Sequence, residues 1–96
     1  MGQQEIIDFL KQHKQDFAER YGVITMGLFG SCSRATQTES SDIDIAVELK
    51  QPDMFCLIVI KNRIEDAFGK SVDVIRLRPD MNPLLRSRIL KDIIYV

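Results

Sequence analysis

The chain has 96 residues, 45% of them apolar and 28% charged, with a formal net charge of −1. This ordinary composition excludes disordered, collagen-like and disulfide-scaffold classes, and the length predicts one domain, residues 1–96, around one core. Nothing in the overall charge points to nucleic acid or an anionic membrane, so no direct nucleic-acid or membrane partner is expected.

Charge is nevertheless uneven. Residues 1–50 hold five Lys or Arg against eight Asp or Glu, and residues 51–96 hold eight against six. Arg76, Arg78, Arg86, Arg88 and Lys91 crowd the second half, where a solvated helix face is favoured over contacts to phosphates or an acidic partner. The longest apolar run, Met54 to Ile60, falls far short of the ~20 residues that span a bilayer. Cys32 and Cys56, in a chain opening on no cationic leader, fit a reducing cytoplasm and predict no disulfide. Oligomerisation would add buried surface to so small a core, so a homo-oligomer is compatible with the length.

In chain order, Ile6, Ile7, Leu10, Phe17 and Tyr21 recur at helical spacing and predict an amphipathic helix over 4–20, stopped by Gly22. Val23 to Phe29 is a run of strand formers closed by Gly30, and the polar stretch Ser31 to Ser41 reads as a loop. From Asp42 to Leu49 alternation is strict. Ile43, Ile45, Val47 and Leu49 share one face and Asp42, Asp44, Ala46 and Glu48 the other, which is a half-buried strand with acids on its open side.

Pro52 and Asp53 open a second helix that runs to Gly69, Ser71 to Leu77 alternates as a third strand, and Asn82 with Pro83 starts a last helix carrying Leu85, Ile89 and Ile93. The order helix, strand, strand, helix, strand, helix predicts an α/β (α+β) domain, a small sheet of three or more strands with helices packed on one side.

Five residues carry the chemistry. Asp42 and Asp44, two apart on a strand, project the same way and repel each other, so they call for a cation. Close-set carboxylate oxygens suit Mg²⁺, which completes its shell with water and nucleotide phosphates. Asp73, mid-strand between Val72 and Val74, is an odd place for an unpaired acid. If its strand lies beside the second, three acids could hold two metal ions, the arrangement of phosphoryl and nucleotidyl transfer. Gly30 and Ser31 stand where the first strand ends, and a glycine there lets backbone approach a phosphate without a Cβ between.

Gly30-Ser31, ten residues and then Asp42-Ile43-Asp44 reproduce a G-S-x10-D-x-D pattern, and the chain resembles the polymerase-beta-like nucleotidyltransferases. Its length and the run Leu28-Phe29-Gly30-Ser31-Cys32-Ser33-Arg34 are similar to their minimal (MNT) subgroup over most of the chain. The resemblance implies a nucleotidyltransferase fold and transfer of a nucleoside monophosphate from an NTP, here AMP from ATP, to an acceptor hydroxyl. It implies Asp42 and Asp44 as catalytic metal ligands, Asp73 as third ligand and base, and Gly30, Ser31 and Arg34 as nucleotide-binding residues. Ala35 departs from the pattern, since many relatives have Gly there.

Small proteins of this kind resemble antitoxins paired with a helical HEPN ribonuclease toxin, some of which adenylylate a tyrosine on the toxin. The implied function is therefore protein adenylylation of such a partner, with Mg²⁺ as cofactor. The alternative is a non-catalytic, nucleotide-binding antitoxin that neutralises its partner by contact. Transfer to a small molecule or an RNA end is disfavoured, because no acceptor domain and no strong basic surface is evident.

Other residues are assigned structural places. His13 reads as a boundary residue of the first helix, Cys32 as a small packing residue and Cys56 as core. Met26, Met54 and Phe55 read as core or boundary, and Lys61 and Arg63 as projecting into water. The apolar end Ile93 to Val96 is divided evenly between capping the core and forming a contact surface.

Overall fold

In the computed structural model, which describes residues 2–34 and 42–96, three helices flank a four-stranded sheet. Helix α1 spans Gln3–Tyr21 and buries Ile6, Ile7, Leu10 and Phe17. Gly22 ends it in the left-handed conformation at φ 70, returning its N–H to the Ala18 and Phe17 carbonyls, a cap that L side chains resist. Strand β1, Val23–Phe29, then leads into a single 3-10 turn over Gly30–Cys32. Strand β2 is Ile43–Leu49.

Helix α2, Met54–Phe68, starts where the Asp53 carboxylate accepts from the Phe55 N–H and stops at Gly69, φ 63. Strand β3 is Val72–Arg76. Helix α3, Pro83–Asp92, begins with the Asn82 side chain accepting from the N–H groups of Leu84 and Leu85, and a two-residue strand β4, Ile94–Tyr95, follows it.

The strands lie in the order β3-β2-β1-β4. β1 pairs antiparallel with β2 and with β4, and β2 pairs parallel with β3. The parallel pair is joined by α2, the crossover that parallel strands require. Main-chain hydrogen bonds extend its ladder at both ends, Ile43 N–H to Ser71 O at 3.0 Å and Leu77 N–H to Val47 O at 2.7 Å.

The expected alternation of β2 sorts the layers. Ile43, Ile45, Val47 and Leu49 join one core with Ile6, Leu10 and Phe17 of α1 and Ile60 and Ile64 of α2. On the other side Ala46 packs with Leu77, Met81 and Ile89, with Phe29, Ile75 and Ile93 at its margin. The expectation of helices on one side is thus corrected: α1 and α2 cover one face, and α3 covers the other around Ala46. Ala46 was grouped with the acids, and its small side chain is what lets α3 approach.

The fourth strand falls within the expected three or more and is formed by the apolar end of the chain. Ile93 leaves α3 in extended conformation, and Ile94 and Tyr95 pair with Leu28 and Gly27. The Val96 N–H donates to the Met26 carbonyl at 3.0 Å. The terminal cluster is therefore divided by the pleat: Ile93 joins the α3 side, Ile94 and Val96 pack on the larger core, and Tyr95 is half exposed.

Other assignments shift. Met26 is fully buried, but Met54 and Phe55 are 71% and 79% exposed, so neither belongs to core or boundary. Cys32 is buried, whereas Cys56 is only partly buried against the margin of the core. His13 stacks on Phe9 at the edge of α1, as a boundary residue should. Arg63 does not point freely into water: its guanidinium donates to Asp16 at 2.7 Å and lies 5.2 Å from the centre of the Phe17 ring, tying α2 to α1. That hydrogen bond holds the Asp16 carboxyl below its usual range.

Gly27 stands beside Ala46 in the β1–β2 register. A Cβ there would lie 2.5 Å from the Ile93 side chain and 2.9 Å from the Ile94 carbonyl oxygen. The backbone oxygen cannot step aside without breaking β4 away. Gly27→Ala is accordingly expected to cost about 1–3 kcal/mol, and thermal unfolding followed by circular dichroism should show Tm lowered by about 4–8 °C for each kcal/mol; an unchanged Tm would contradict this packing.

Candidate functional site

One end of the sheet, on the face that α3 leaves open, collects the predicted residues. Phe29 is the register partner of Asp44, and Asp44 is the register partner of Asp73. Side chains of paired residues point the same way, so Asp44 and Asp73 stand side by side across β2 and β3. Asp42 sits one pleat earlier, just before β2 begins. The premise that β3 lies beside β2 holds, and Asp73 shares its face with Ile75 as expected.

Asp73 is not buried, however. β3 is an edge strand and both Asp73 and Asp42 are exposed, while Asp44 between them is partly buried. The electrostatics follow from this placement. Burial raises the Asp44 carboxyl above the ordinary carboxylate value, the charges of Asp73 and Asp42 raise it further, and Arg34 opposes them.

Gly30 makes the approach possible. It takes φ +76, and a Cβ on it would fall 2.3 Å from Asp44 Oδ2. No other residue places the turn against that carboxylate without displacing one of them. The Gly30 carbonyl accepts from the Ser33 N–H at 3.1 Å, the Arg34 N–H at 3.3 Å and the Ser33 hydroxyl at 2.7 Å. From α1 the Gln3 amide donates to the Cys32 and Ser33 carbonyls at 3.1 and 2.7 Å. Buried Cys32 reaches back to the Asp42 carbonyl, Sγ to O 3.7 Å. The turn is thus held from three directions. The Ser31 side chain and the departure at Ala35 lie outside the described residues.

Beside this turn a cleft of about 510 Å³ opens between Gly30 and α3, lined by Phe29, Arg34, Leu85, Arg88, Lys91 and Asp92 among others. Arg34 forms an ion pair with Asp92 across it. Arg88 and Lys91 make no ion pair among the described residues. Sequence reasoning assigned them to a solvated helix face. The missed signal was their spacing of three, which puts both on one side of α3, together with an Asn-Pro cap that fixes where that helix starts.

Among the described residues, no group of three or more His, Cys, Asp or Glu side chains stands close enough to hold a metal ion. As chemistry the donor set still fits a hard divalent cation, since it consists of carboxylates alone, on one face, beside a glycine that admits no side chain.

No helix among the described residues is long and apolar enough to cross a membrane.

Comparison with known proteins agrees with this geometry. The family model for polymerase beta nucleotidyltransferases matches residues 4–96. The protein adenylyltransferase MntA of Thermococcus cleftensis is 31% identical over 94 residues, covering 97% of this chain and 94% of the relative. The Methanocaldococcus jannaschii protein MJ0128 is 39% identical over 93 residues, 96% and 95% of the two chains. Among solved structures, a toxin-antitoxin crystal structure with AMP-PNP is similar at a TM-score of 0.72 and 25% identity, over 99% of this chain and 72% of that one. One chain in the structure of a tri-AMPylated Shewanella oneidensis HEPN toxin in complex with MNT antitoxin has the same fold at a TM-score of 0.71 and 22% identity, over 97% of this chain and 70% of that one. A Gly-Ser turn pressed against an Asp-x-Asp strand, matched across nearly the whole length, leaves one conclusion: the chain belongs to the polymerase beta nucleotidyltransferase family.

Proposed function

We propose that residues 1–96 act as a minimal nucleotidyltransferase domain that moves AMP from ATP to a hydroxyl, a tyrosine for preference, of a helical HEPN-type partner, and so serve as the antitoxin of a toxin-antitoxin pair in the cytoplasm. The observation that carries the reading is the alignment of Gly30, Asp44 and Asp73 across three elements on one sheet face. The relative named protein adenylyltransferase MntA and the toxin-antitoxin neighbour with AMP-PNP support the donor and the type of partner.

In this reading the triphosphate lies in the cleft beside α3. Gly30 and Ser31 offer backbone N–H groups and a hydroxyl, and Arg34, Arg88 and Lys91 offer positive charge to an anion of about four negative charges. Arg34 exchanges its ion pair with Asp92 for phosphate oxygens. Asp42, Asp44 and Asp73 would hold Mg²⁺, which when bound supplies charge neutralisation at the phosphates. Asp73, on the edge strand, takes the proton as the acceptor oxygen bonds to the α-phosphorus and the bond to the bridging oxygen of the β-phosphate breaks, releasing pyrophosphate. The negative charge added to the partner then disturbs its function.

The direct test is to incubate the protein with α-labelled ATP, Mg²⁺ and a HEPN-type partner. Label should pass to the partner, Asp44→Asn should lose about 100-fold or more of the rate, and Arg88→Gln should keep transfer while needing about tenfold more ATP. Neutralisation of the partner by Asp42→Asn/Asp44→Asn protein, with no label moved by wild type, would favour the non-catalytic reading instead.

The Asp44 carboxyl also makes a pH prediction. Its folded pKa is raised, so the ionised form weighs against the fold, and that penalty is present above the raised value and relieved as pH falls through it toward the ordinary 3.8. Without divalent cation, Asp44→Asn should therefore melt higher than wild type at pH 7, and the gap should close on acidification. A wild type that melts higher at pH 7 would contradict the repulsion.

A further inference from the structure

A second groove, of about 660 Å³, runs along the open edge of β3 between the starts of α2 and α3. Its apolar wall is Met54 and Leu57 on α2 with Met81 and Leu85 on the α3 side, and Arg76 and Arg78 stand in it. Apolar surface continues outward through Phe55 and Ile58 of α2 and Leu84 of α3, which are 79%, 47% and 77% exposed. The N-terminal half of α2 is thus apolar nearly all round, the pattern of a helix with neighbours on more than one side, yet only one side is packed.

We infer that this groove seats the acceptor protein, through an amphipathic helix whose apolar stripe meets Met54, Leu57 and Leu85 and whose acidic edge meets Arg76 and Arg78. The inference rests on the proposed transfer reaction and adds where its acceptor docks. Charge complementarity selects the acidic edge. Two guanidinium groups, Arg76 and Arg78, stand in the lining against one carboxylate, Asp53, which is occupied in capping α2 by accepting from the Phe55 N–H. Arg76 makes no ion pair among the described residues, and Arg78 is only partly engaged, with Asp80 at 3.3 Å.

Position selects the acceptor over an unrelated partner. Leu85 lines both this groove and the cleft that holds Gly30 and Arg34, so the two spaces share a wall. The groove begins at Val74, next to Asp73 on the same strand, and Ile75 in its lining shares the face of Asp73. At about 3.3 Å per residue along a strand, a hydroxyl carried by a helix in the groove comes within side-chain reach of Asp73. Short apolar helices laid in a groove are a recurrent mode of protein recognition.

The test measures binding apart from chemistry. The protein and a HEPN-type partner are titrated calorimetrically without ATP, using wild type, Met54→Glu, Arg76→Glu and, as a control, Asp42→Asn/Asp44→Asn. Met54 is mostly exposed and its replacement should leave the fold and binding of a fluorescent ATP analogue unchanged. The expected result is about a tenfold loss of partner affinity in each groove variant, a wild-type affinity that falls with added salt more steeply than that of Arg76→Glu, and full affinity in the aspartate control. Binding without label transfer would sink the proposed reaction and leave the groove standing. Groove variants that bind like wild type, or a wild type that binds no such partner, would overturn the groove.

Discussion

Like charges held together on one sheet face are the constraint on which the rest of this molecule turns. β-Sheet register sets Asp44 beside Asp73, with Asp42 one pleat earlier, and the chain offers Asp44 little relief: Arg34 alone among the described residues weighs against its raised pKa, and Asp92 competes for that guanidinium. A fold selected for stability alone has better uses for those positions, such as the apolar residues that occupy Ala46 and Ile75 further along the same face. Carboxylates alone on one face are a donor set of the kind that suits a hard divalent cation.

Everything nearby is arranged around that site. The parallel pairing of β2 and β3, possible because α2 crosses over between them, sets Asp73 beside Asp44 rather than a pleat away. Gly30 at φ +76 presses the turn onto the Asp44 carboxylate, and Gln3 and Cys32 clamp that turn from α1 and toward Asp42. On the far side α3 closes a cleft with basic residues. Leu85, shared by that cleft and the groove along β3, marks the place where a donor and an acceptor would meet.

Much of this could be read in the sequence, and the parts that could not share a physical reason. The alternation over Asp42–Leu49 and the Gly-Ser turn are local patterns, and both led to the right face and the right neighbours. The β4 strand was hidden because Ile94 and Tyr95 make only two register pairs, and their pairing depends on Gly27, nearly seventy residues earlier, leaving room for Ile93. The second layer was hidden for a similar reason, since a single alanine opposite a glycine is a weak local sign of a helix overhead. Arg63 looked like a solvated residue on its own helix, and only the packing of α2 against α1 brings Asp16 and Phe17 to it. Exposure of Met54 and Phe55 ran against composition, because apolar residues without a partner are not distinguishable by pattern from those that have one.

The proposed function requires these carboxylates to form one divalent-cation site next to the glycine turn. Nuclear magnetic resonance of the amide-labelled protein, titrated with Mn²⁺ in the presence of a non-hydrolysable ATP analogue, tests it most directly. Paramagnetic broadening should centre on residues 42–44, spread to Gly30 and Asp73, and disappear in Asp42→Asn/Asp44→Asn protein. Broadening that centres elsewhere, or that survives loss of both aspartates, would contradict the account.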